Sequence, residues 1–406
     1  DKLNSVIESM AHLLDAKDMN GWTPLHEGAR GGHESVVRVL VEKGASINER
    51  NKRGETPLYW SIKQNGVYEQ LTQALAGRDW QEFPGIGANP QYDQLMEAVA
   101  LVKRERIDFL LAVGGGSVVD GTKFVAAAAC FEGADPWEIL LHKAPVKAAL
   151  PLGCVLTLAA TGSECNPHGV DTHAERQEKL PFFSPLLFPR FAILDPRCTF
   201  SLPPRQIGNG VVDAFVHTIE QYLTYPADAP LQDRYAEGLL LTLIEEGPKA
   251  LENPEDYNVR ANLMWCATQA LNGLLGCGVP QDWATHMIGH ELTALHGIDH
   301  ARTLAIVLPA LLHERRGAKR AKLLQYGERV WGITTGTDDE RITAAIERTR
   351  DFFESMGIAT RLSGYGLGAD TVGAVVAQLE AHGMVTLGEQ REITPAVSRR
   401  ILEAAL

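Results

Sequence analysis

The chain has 406 residues, of which 45% are hydrophobic and 22% charged, and a formal net charge of −13. This length predicts two or three globular domains. The acidic balance argues against a nucleic-acid-binding protein, because no basic stripe is present to neutralise phosphates.

Other features of composition narrow the class further. Neither a signal peptide nor an apolar run of roughly eighteen residues is present, so we expect no membrane span. The six cysteines show no C-x-x-C pairing, which is typical of reduced thiols in a cytoplasmic protein. The sequence begins at Asp1 without methionine, which indicates a processed or truncated product. The basic run His313 to Lys322 is interpreted as a solvated helix face.

Residues 18–60 contain an internal repeat. The pattern G-x-T-P-L occurs twice, at Gly21 and at Gly54, thirty-three residues apart. This period and the TPLH, GH and VV-x-x-L landmarks resemble the ankyrin repeat. One full unit (residues 18–51) and the start of a second are present, whereas roughly three stacked units are needed for stability. We therefore expect residues 1–60 to pack against the rest of the chain, with Thr56 to Trp60 folded against a sheet edge.

From Ser61 onward the pattern is that of an α/β protein. GVYEQLTQALAG and QYDQLMEAVALVKRER predict two helices. IDFLLAVGGGSVVDGTKF then runs from an apolar strand through a glycine turn into a helix. Such a turn allows backbone amides to approach a pyrophosphate at a helix N-terminus, although the G-x-G-x-x-G fingerprint is absent and a simple tight turn is the alternative.

A second strand, ALPLGCVLTL, leads into the polar loop AATGSECNP. Its hydroxyl and amide groups stand at a strand end, where open α/β sheets bind ligands; a capped loop is the structural alternative. After Pro203 and Pro204 the pattern is helical almost to the end of the chain. We therefore predict a Rossmann-like, partly truncated nucleotide-binding α/β domain at 61–199 and an all-α domain at 200–406, with chemistry in the cleft between them.

The all-α part holds a cluster of metal-binding residue types. Residues 280–301 carry His286, His290, His296 and His300, and Asp213 stands four residues before a further histidine, His217. Residues four apart share a helix face. One carboxylate and two or three imidazoles suit zinc or iron and leave a coordination position open. Ordinary polar residues on helix surfaces are the alternative.

Residues 61–406 closely resemble the iron-containing (group III) alcohol dehydrogenases, in the branch of NADPH-dependent aldehyde reductases and butanol dehydrogenases. The motifs are FLLAVGGGSVVDGTKF, TLAATGSE, GVVDAFVHTIEQY and GVPQDWATHMIGHELTALHGIDHA. The resemblance implies a metal bound by Asp213, His217, His286 and His300, with His290 as a proton relay and His296 structural. It implies cofactor contacts from Gly115, Gly116, Ser117, Asp120, Thr157, Thr161, Asn166 and Lys179.

The implied reaction is hydride transfer between NAD(P)H and a short- to medium-chain aldehyde or its primary alcohol, assisted by zinc or iron. A histidine near the carbonyl oxygen can pass the proton.

The departure from the family lies at the N-terminus, where TPLYWS stands in place of the first nucleotide-binding strand and its glycine turn. By resemblance that turn discriminates a 2′-phosphate, so we expect a weakened preference for NADPH over NADH. The resemblance also implies a homodimer, although the dimer-forming edge strands are expected to be missing.

The chain therefore looks like a fusion, and two other hypotheses remain. One is an ankyrin-type protein-binding fusion whose dehydrogenase part is inactive. The other is a related enzyme acting on a polyol or a phosphorylated substrate, for which no basic pocket is visible in the sequence.

Overall fold

The computed structural model describes residues 14–19, 21–30, 36, 39–40, 43–46, 49–52 and 66–406. In the N-terminal part, helix α1 spans Pro24–Arg30. The TPLH sequence forms a local network in which the Thr23 hydroxyl lies 2.8 Å from Nδ1 of His26. Leu25 is buried against a small apolar cluster of neighbouring ankyrin-like residues. The expectation for Thr56 to Trp60 lies outside the described residues.

The nucleotide-binding part begins with helices and a parallel sheet, as the fold-class prediction requires. Its elements are α2 (Val67–Ala74), α3 (Tyr92–Glu105), β1 (Leu110–Gly114), α4 (Gly116–Ala129), α5 (Glu138–Leu141), β2 (Leu152–Leu156), β3 (His168–His173), β4 (Glu178–Phe183) and β5 (Ala192–Ile193).

Strand β2 lies at the centre of a three-stranded sheet in the order β1, β2, β5. Both of its pairings are parallel, with Gly114 opposite Leu156 and Cys154 opposite Ala192. Parallel registration brings the carboxyl ends of β1 and β2 to one edge of the sheet, and the glycine turn and the 157–163 loop leave from that edge. Each loop therefore follows the carboxyl end of its strand, as the sequence pattern predicts.

Strands β3 and β4 form an antiparallel hairpin that we did not expect. Alternation of apolar and polar residues is weak in both strands, because their buried positions include Asp171 and Lys179. The hairpin packs against α4 and carries Lys179 toward the helical part.

The rest of the described chain is helical. Its helices are α6 (Pro204–Tyr222), α7 (Pro230–Glu252), α8 (Tyr257–Leu271), α9 (Ala284–His296), α10 (His300–Glu314), α11 (Arg320–Arg329), α12 (Asp338–Ser355), α13 (Ala369–Ala381) and α14 (Pro395–Ala404). The proposed division at residues 199 and 200 follows this change of element type. None of the described helices is both long and apolar enough to span a membrane.

Helix α6 occupies the centre of the helical part and packs against α7, α8 and α10. Every residue from Ile207 to Tyr222 is buried. Polar side chains on α6 are therefore held away from water, where they need partners or a ligand.

The prediction of a solvated basic run at His313 to Lys322 is wrong for two of its lysines. Lys319 is buried and its Nζ lies 2.8 Å from Asp282 Oδ2 and 2.9 Å from Glu389 Oε1. Lys322 is also buried and pairs with Asp233. Burial is tolerated here because each ammonium meets a carboxylate contributed by a distant segment.

Candidate active site

A cleft of about 790 Å³ separates the glycine turn from the helical part. All thirteen residues singled out from the sequence for catalysis, metal or cofactor line it: Gly115, Gly116, Ser117, Asp120, Thr157, Thr161, Asn166, Lys179, Asp213, His217, His286, His290 and His300. His296, expected to be structural, is exposed at the end of α9 and is not among the lining residues.

Three helices deliver a carboxylate and imidazoles to one end of the cleft. Asp213 (α6), His286 (α9) and His300 (α10) offer ligand atoms that all lie within 4.8 Å of one another. His217, one turn after Asp213, has its Nε2 3.7 Å from Asp213 Oδ1. His290, one turn after His286, has its ring centroid 5.1 Å from that of His300.

Five buried polar atoms of this cluster lack hydrogen-bond partners in the part of the chain that the structure describes. Asp213 Oδ1, His217 Nδ1, His286 Nε2, His290 Nδ1 and His300 Nδ1 have no hydrogen-bond partner among the described residues. A buried polar atom without a partner costs free energy, unless a ligand satisfies it. The cluster therefore presents atoms that a cation would satisfy.

Burial also sets the protonation of the cluster. Desolvation lowers the pKa of His217 to about 4 and that of His286 to about 3, and it lowers the pKa of His290 and His300 well below the usual value. These imidazoles are neutral at pH 7, which is the form that binds metals. Neutral imidazoles beside one carboxylate match the donor set of a divalent zinc or iron site, so the residues present fit the expected metal.

The glycine turn is shaped by the loop after β2. A Cβ on Gly116 would meet Thr161 Oγ1 at 2.3 Å, and a Cβ on Gly115 would meet Leu158 Cβ at 3.0 Å. A side chain at position 116 would displace Thr161, and Gly115, Gly116 and Ser117, at the N-terminus of α4, line the cleft. This cradle fits the phosphates of a dinucleotide.

Asp120 and Asn166 line the cleft, but most of their polar atoms bond within the protein. Asp120 Oδ1 accepts from Ser163 Oγ at 2.5 Å, and its Oδ2 accepts from Val170 N at 3.2 Å. Asn166 Nδ2 donates to Gly162 O at 2.9 Å. Both side chains therefore hold the shape of the loop that borders the cleft.

Lys123 is a buried residue that the sequence analysis missed. Its Nζ donates to the Ser163 carbonyl, the Ser163 hydroxyl and the His168 carbonyl, each at 2.6 Å. Burial lowers its pKa to about 8, and the nearby Asp120 carboxylate opposes that shift. One signal in the sequence could have identified Lys123: it is the single charged residue in GTKFVAAAA, a helix segment of small and apolar residues with no polar face.

Lys179 lines the same cleft and interacts electrostatically with Asp213 and with Asp120. Its Nζ donates to Asn89 Oδ1 at 2.9 Å, and burial lowers its pKa to about 8. The Coulomb field of Asp213, the largest opposing influence, favours the charged form. A cation placed here can face an anionic cofactor as well as the Asp213 carboxylate.

Two further residues of the cluster were not found from the sequence. Glu220 lies seven residues after Asp213 on α6, and that spacing, which puts both on one helix face, was the available signal. Trp283, before α9, has a left-handed backbone with φ 63° and its ring centroid 5.3 Å from that of His286. A left-handed tryptophan is strained by about 1–3 kcal/mol.

The ankyrin-like segment also reaches the cleft. Leu25 and Ala29 of α1 are among its lining residues, together with Ile86 to Pro90. The side chains among these residues are apolar except for Asn89, so they give the cleft apolar wall surface.

Two family models divide most of the chain between them. "Iron-containing alcohol dehydrogenase" matches residues 59–196, and "Fe-containing alcohol dehydrogenase family, C-terminal" matches residues 208–406. The chain belongs to the iron-containing alcohol dehydrogenase family. Membership confirms the expected enzyme class, an NAD(P)-dependent alcohol dehydrogenase or aldehyde reductase, with a nicotinamide cofactor and a divalent metal.

Similar members of this family include curated and solved proteins. The chain is 62% identical over 377 residues to the NADPH-dependent aldehyde reductase YqhD of Escherichia coli K12, covering 91% of this chain and 97% of that protein. It is 40% identical to the probable NADH-dependent butanol dehydrogenase 1 of Bacillus subtilis, covering 85% of this chain and 90% of that protein. The crystal structure of E. coli YqhD superposes with a TM-score of 0.84 at 62% identity, covering 85% of this chain and 89% of that chain.

The N-terminal resemblance is confirmed separately. The model "Ankyrin repeats (3 copies)" matches residues 3–80 and overlaps the start of the dehydrogenase match. The comparisons favour the dehydrogenase over the inactive binding-protein alternative, and they give no protein partner for the ankyrin-like segment. The family description names iron, so zinc stays a prediction, as do a homodimer and a partner protein.

Proposed function

We propose that the protein is a metal-dependent reductase that transfers hydride from NADPH or NADH to short- and medium-chain aldehydes, and runs in reverse on primary alcohols. The observation that carries this proposal is the convergence of two sites on one cleft. The glycine cradle borders the same space as the cluster of Asp213, His286 and His300. Hydride transfer requires the hydride donor and the group that polarises the carbonyl to be held next to the same substrate.

In this proposal Asp213, His217, His286 and His300 hold the divalent metal. When bound, the metal acts as a Lewis acid that polarises a carbonyl and stabilises negative charge on its oxygen. The chain's own contribution is a preformed set of neutral imidazoles beside one carboxylate, with His217 and His286 buried and His300 half-buried. Because the pKa of each of these histidines is lowered by burial, they need not release protons before binding a metal at pH 7.

The cofactor is proposed to lie along the cradle. The nicotinamide cofactor supplies the hydride. Gly115, Gly116 and Ser117 present backbone amides at the N-terminus of α4, and Lys179 adds a cation beside the cleft. Thr157 Oγ1 is buried without a partner among the described residues, so it is free to bond the cofactor. Thr161, Asp120 and Asn166 define the cradle's wall through the contacts described above.

Proton transfer is assigned to His290. It borders the cleft, it is neutral because burial lowers its pKa, and its Nδ1 has no partner among the described residues. A neutral ring can relay a proton: it gives its N–H hydrogen to the aldehyde oxygen while its other nitrogen takes a proton from water in the cleft, so the ring stays neutral. Replacing His290 with asparagine should lower kcat while metal content and NADPH affinity stay unchanged; an unchanged kcat would remove His290 from this role.

The test of the function uses the full chain loaded with Fe²⁺ or, separately, Zn²⁺. NADPH is added and the absorbance of the reduced nicotinamide is followed on addition of butanal. We expect butanal-dependent loss of absorbance with the wild type and none with Asp213→Asn. Comparing NADPH with NADH tests the cofactor preference, because the relatives include an NADPH-dependent aldehyde reductase and a probable NADH-dependent butanol dehydrogenase. Metal and NADPH bound without turnover of any aldehyde would overturn the proposal.

A further inference from the structure

Glu220 joins the two helices that carry the histidine cluster. It is buried on α6, its Oε1 accepts from the Thr285 backbone N–H at 2.6 Å, and its Oε2 is hydrogen-bonded to His286 Nδ1. Thr285 and His286 lie in the first turn of α9. One carboxylate therefore touches both the backbone that starts α9 and the ring of His286.

We propose that Glu220 is a positioning residue that fixes the tautomer and the orientation of His286, so that its bare Nε2 faces the metal. This inference rests on the proposed function in taking His286 as a metal ligand. Burial and the nearby Asp282 carboxylate raise the pKa of Glu220, and hydrogen bonds from Thr285 and from the His286 backbone oppose that shift. With the Thr285 N–H donating to one oxygen, Glu220 is placed as an acceptor, and a carboxylate that accepts at both oxygens leaves the hydrogen on its partner Nδ1. In a neutral imidazole the other nitrogen is then an acceptor.

The position of Nε2 agrees with this assignment. Nε2 of His286 is buried and has no hydrogen-bond partner among the described residues. His286 also belongs to the group whose ligand atoms lie within 4.8 Å, with Asp213 and His300. With Nδ1 engaged by Glu220, Nε2 is the nitrogen left to bind a cation. Hydrogen-bond partners behind a ligating histidine raise its basicity and typically change metal affinity about 10–100-fold.

The backbone bond adds a second constraint. The first N–H groups of a helix have no partner within the helix, and Glu220 supplies one from outside α9. Asp282 N also donates to Glu220 O at 2.8 Å. Glu220 on α6 therefore binds the segment that leads into α9 as well as the ring of His286. A carboxylate near a helix N-terminus also stabilises the helix.

The decisive variant is Glu220→Gln. Glutamine keeps the volume, but it presents one acceptor oxygen and one NH₂ group to two N–H donors. Either the Thr285 bond is lost, or His286 has to move its hydrogen from Nδ1 to Nε2, the ligating atom. The affinity for Zn²⁺, measured by competition with a chromophoric chelator, should fall about 10–100-fold.

A matched control is Glu237→Gln on α7. Glu237 is also buried and its Oε1 also meets only donors: the Tyr222 hydroxyl and Gln325 Nε2, both at 2.8 Å, and Arg329 Nη1 at 3.1 Å. We expect Glu237→Gln to lower the stability of the metal-free protein without changing Zn²⁺ affinity. Equal Zn²⁺ affinities for Glu220→Gln and the wild type would overturn the inference, even if both variants are less stable.

A measurement on the unaltered chain covers the case in which Glu220→Gln fails to fold. In metal-free protein labelled with ¹⁵N only in histidine, the two ring nitrogens of a neutral imidazole have distinct shifts. His286, identified by the signal lost in His286→Asn, should carry its hydrogen on Nδ1. A hydrogen on Nε2 would overturn the inference. Failure of the wild type to bind Zn²⁺ or Fe²⁺ at all would instead overturn the proposed function, and the inference with it.

Discussion

Oδ1 of Asp213 lies 3.7 Å from Nε2 of His300, although the two residues come from different helices, α6 and α10. The same oxygen lies 3.7 Å from Nε2 of His217, one turn along α6. A single carboxylate oxygen therefore lies beside two imidazoles. Both distances are too long for hydrogen bonds and leave room for a cation.

Asp213→Asn should abolish tight metal binding. The amide keeps the shape of the side chain but removes its charge, which is the only negative charge in the set of proposed ligands. We expect the loss of Zn²⁺ affinity to exceed the roughly 10–100-fold typical of a residue that only supports a ligand. Asp338→Asn, at an exposed carboxylate paired with Arg320, serves as the control and should bind Zn²⁺ like the wild type. Retained affinity in Asp213→Asn would mean that Asp213 is not a ligand.

Gly116→Ala should impair cofactor binding more than folding. The added Cβ would lie 2.3 Å from Thr161 Oγ1, so the loop after β2 has to move away from the cradle. The dissociation constant for NADPH, measured by fluorescence titration, is expected to rise at least tenfold, about 1.4 kcal/mol. Gly238→Ala is the control because a Cβ there meets nothing within 4 Å; it lies inside α7 and should be neutral or stabilising. Unchanged NADPH affinity in Gly116→Ala would contradict the assigned cradle.

Lys123 should make the stability of the protein depend on pH in the alkaline range. Its folded-state pKa, about 8, lies below the ordinary 10.5 because of burial, so the unfolded chain binds more protons between these values. The free energy of unfolding should therefore gain about 1.4 kcal/mol per pH unit from this residue as pH rises from 8 to 10.5. The gain is complete above 10.5 and is lost as pH falls through 8.

The measurement is urea unfolding of the wild type and of Lys123→Met across this range. Both chains share the titrations of their tyrosines and cysteines, so the difference isolates Lys123. A stability difference that does not change with pH would show that Lys123 keeps an ordinary pKa in the folded protein.

Lys319→Met should be strongly destabilising. Lys319 Nζ bridges Asp282 and Glu389 and donates to the Leu223 carbonyl at 2.6 Å. Methionine would leave two buried carboxylates facing each other without a cation, a change that typically costs about 3–5 kcal/mol. Lys249→Met, whose pair with Glu246 is exposed on the lysine side, should unfold at nearly the wild-type urea concentration. Equal effects of the two substitutions would show that the Lys319 bridge contributes little.

Local patterns predicted those parts of the site that lie within one element. The pair Asp213 and His217, the pair His286 and His290, and the strand, turn and helix around Gly115 each follow from spacing along a single segment. The fold class follows from the same patterns, because alternating strands and helices require a parallel sheet.

The sequence did not predict contacts made between distant segments. Lys319 has the pattern of a surface residue in a basic run, and only Asp282 and Glu389, placed beside it by the fold, make its burial tolerable. Glu220 looks like one more polar residue of α6 until α9 is placed against it. The β3–β4 hairpin was missed because its buried positions hold Asp171 and Lys179 in place of the usual apolar residues.

Leu25 and Ala29 bring the ankyrin-like helix α1 to the wall of the cleft that holds the candidate site. Residues from the ankyrin-like part and residues from the dehydrogenase part therefore line the same cleft. Trimming the chain to the dehydrogenase match would remove part of a pocket wall, and a molecule filling the cleft would hold α1 in place. The ankyrin-like segment and the dehydrogenase part thus form one unit with respect to whatever binds between them.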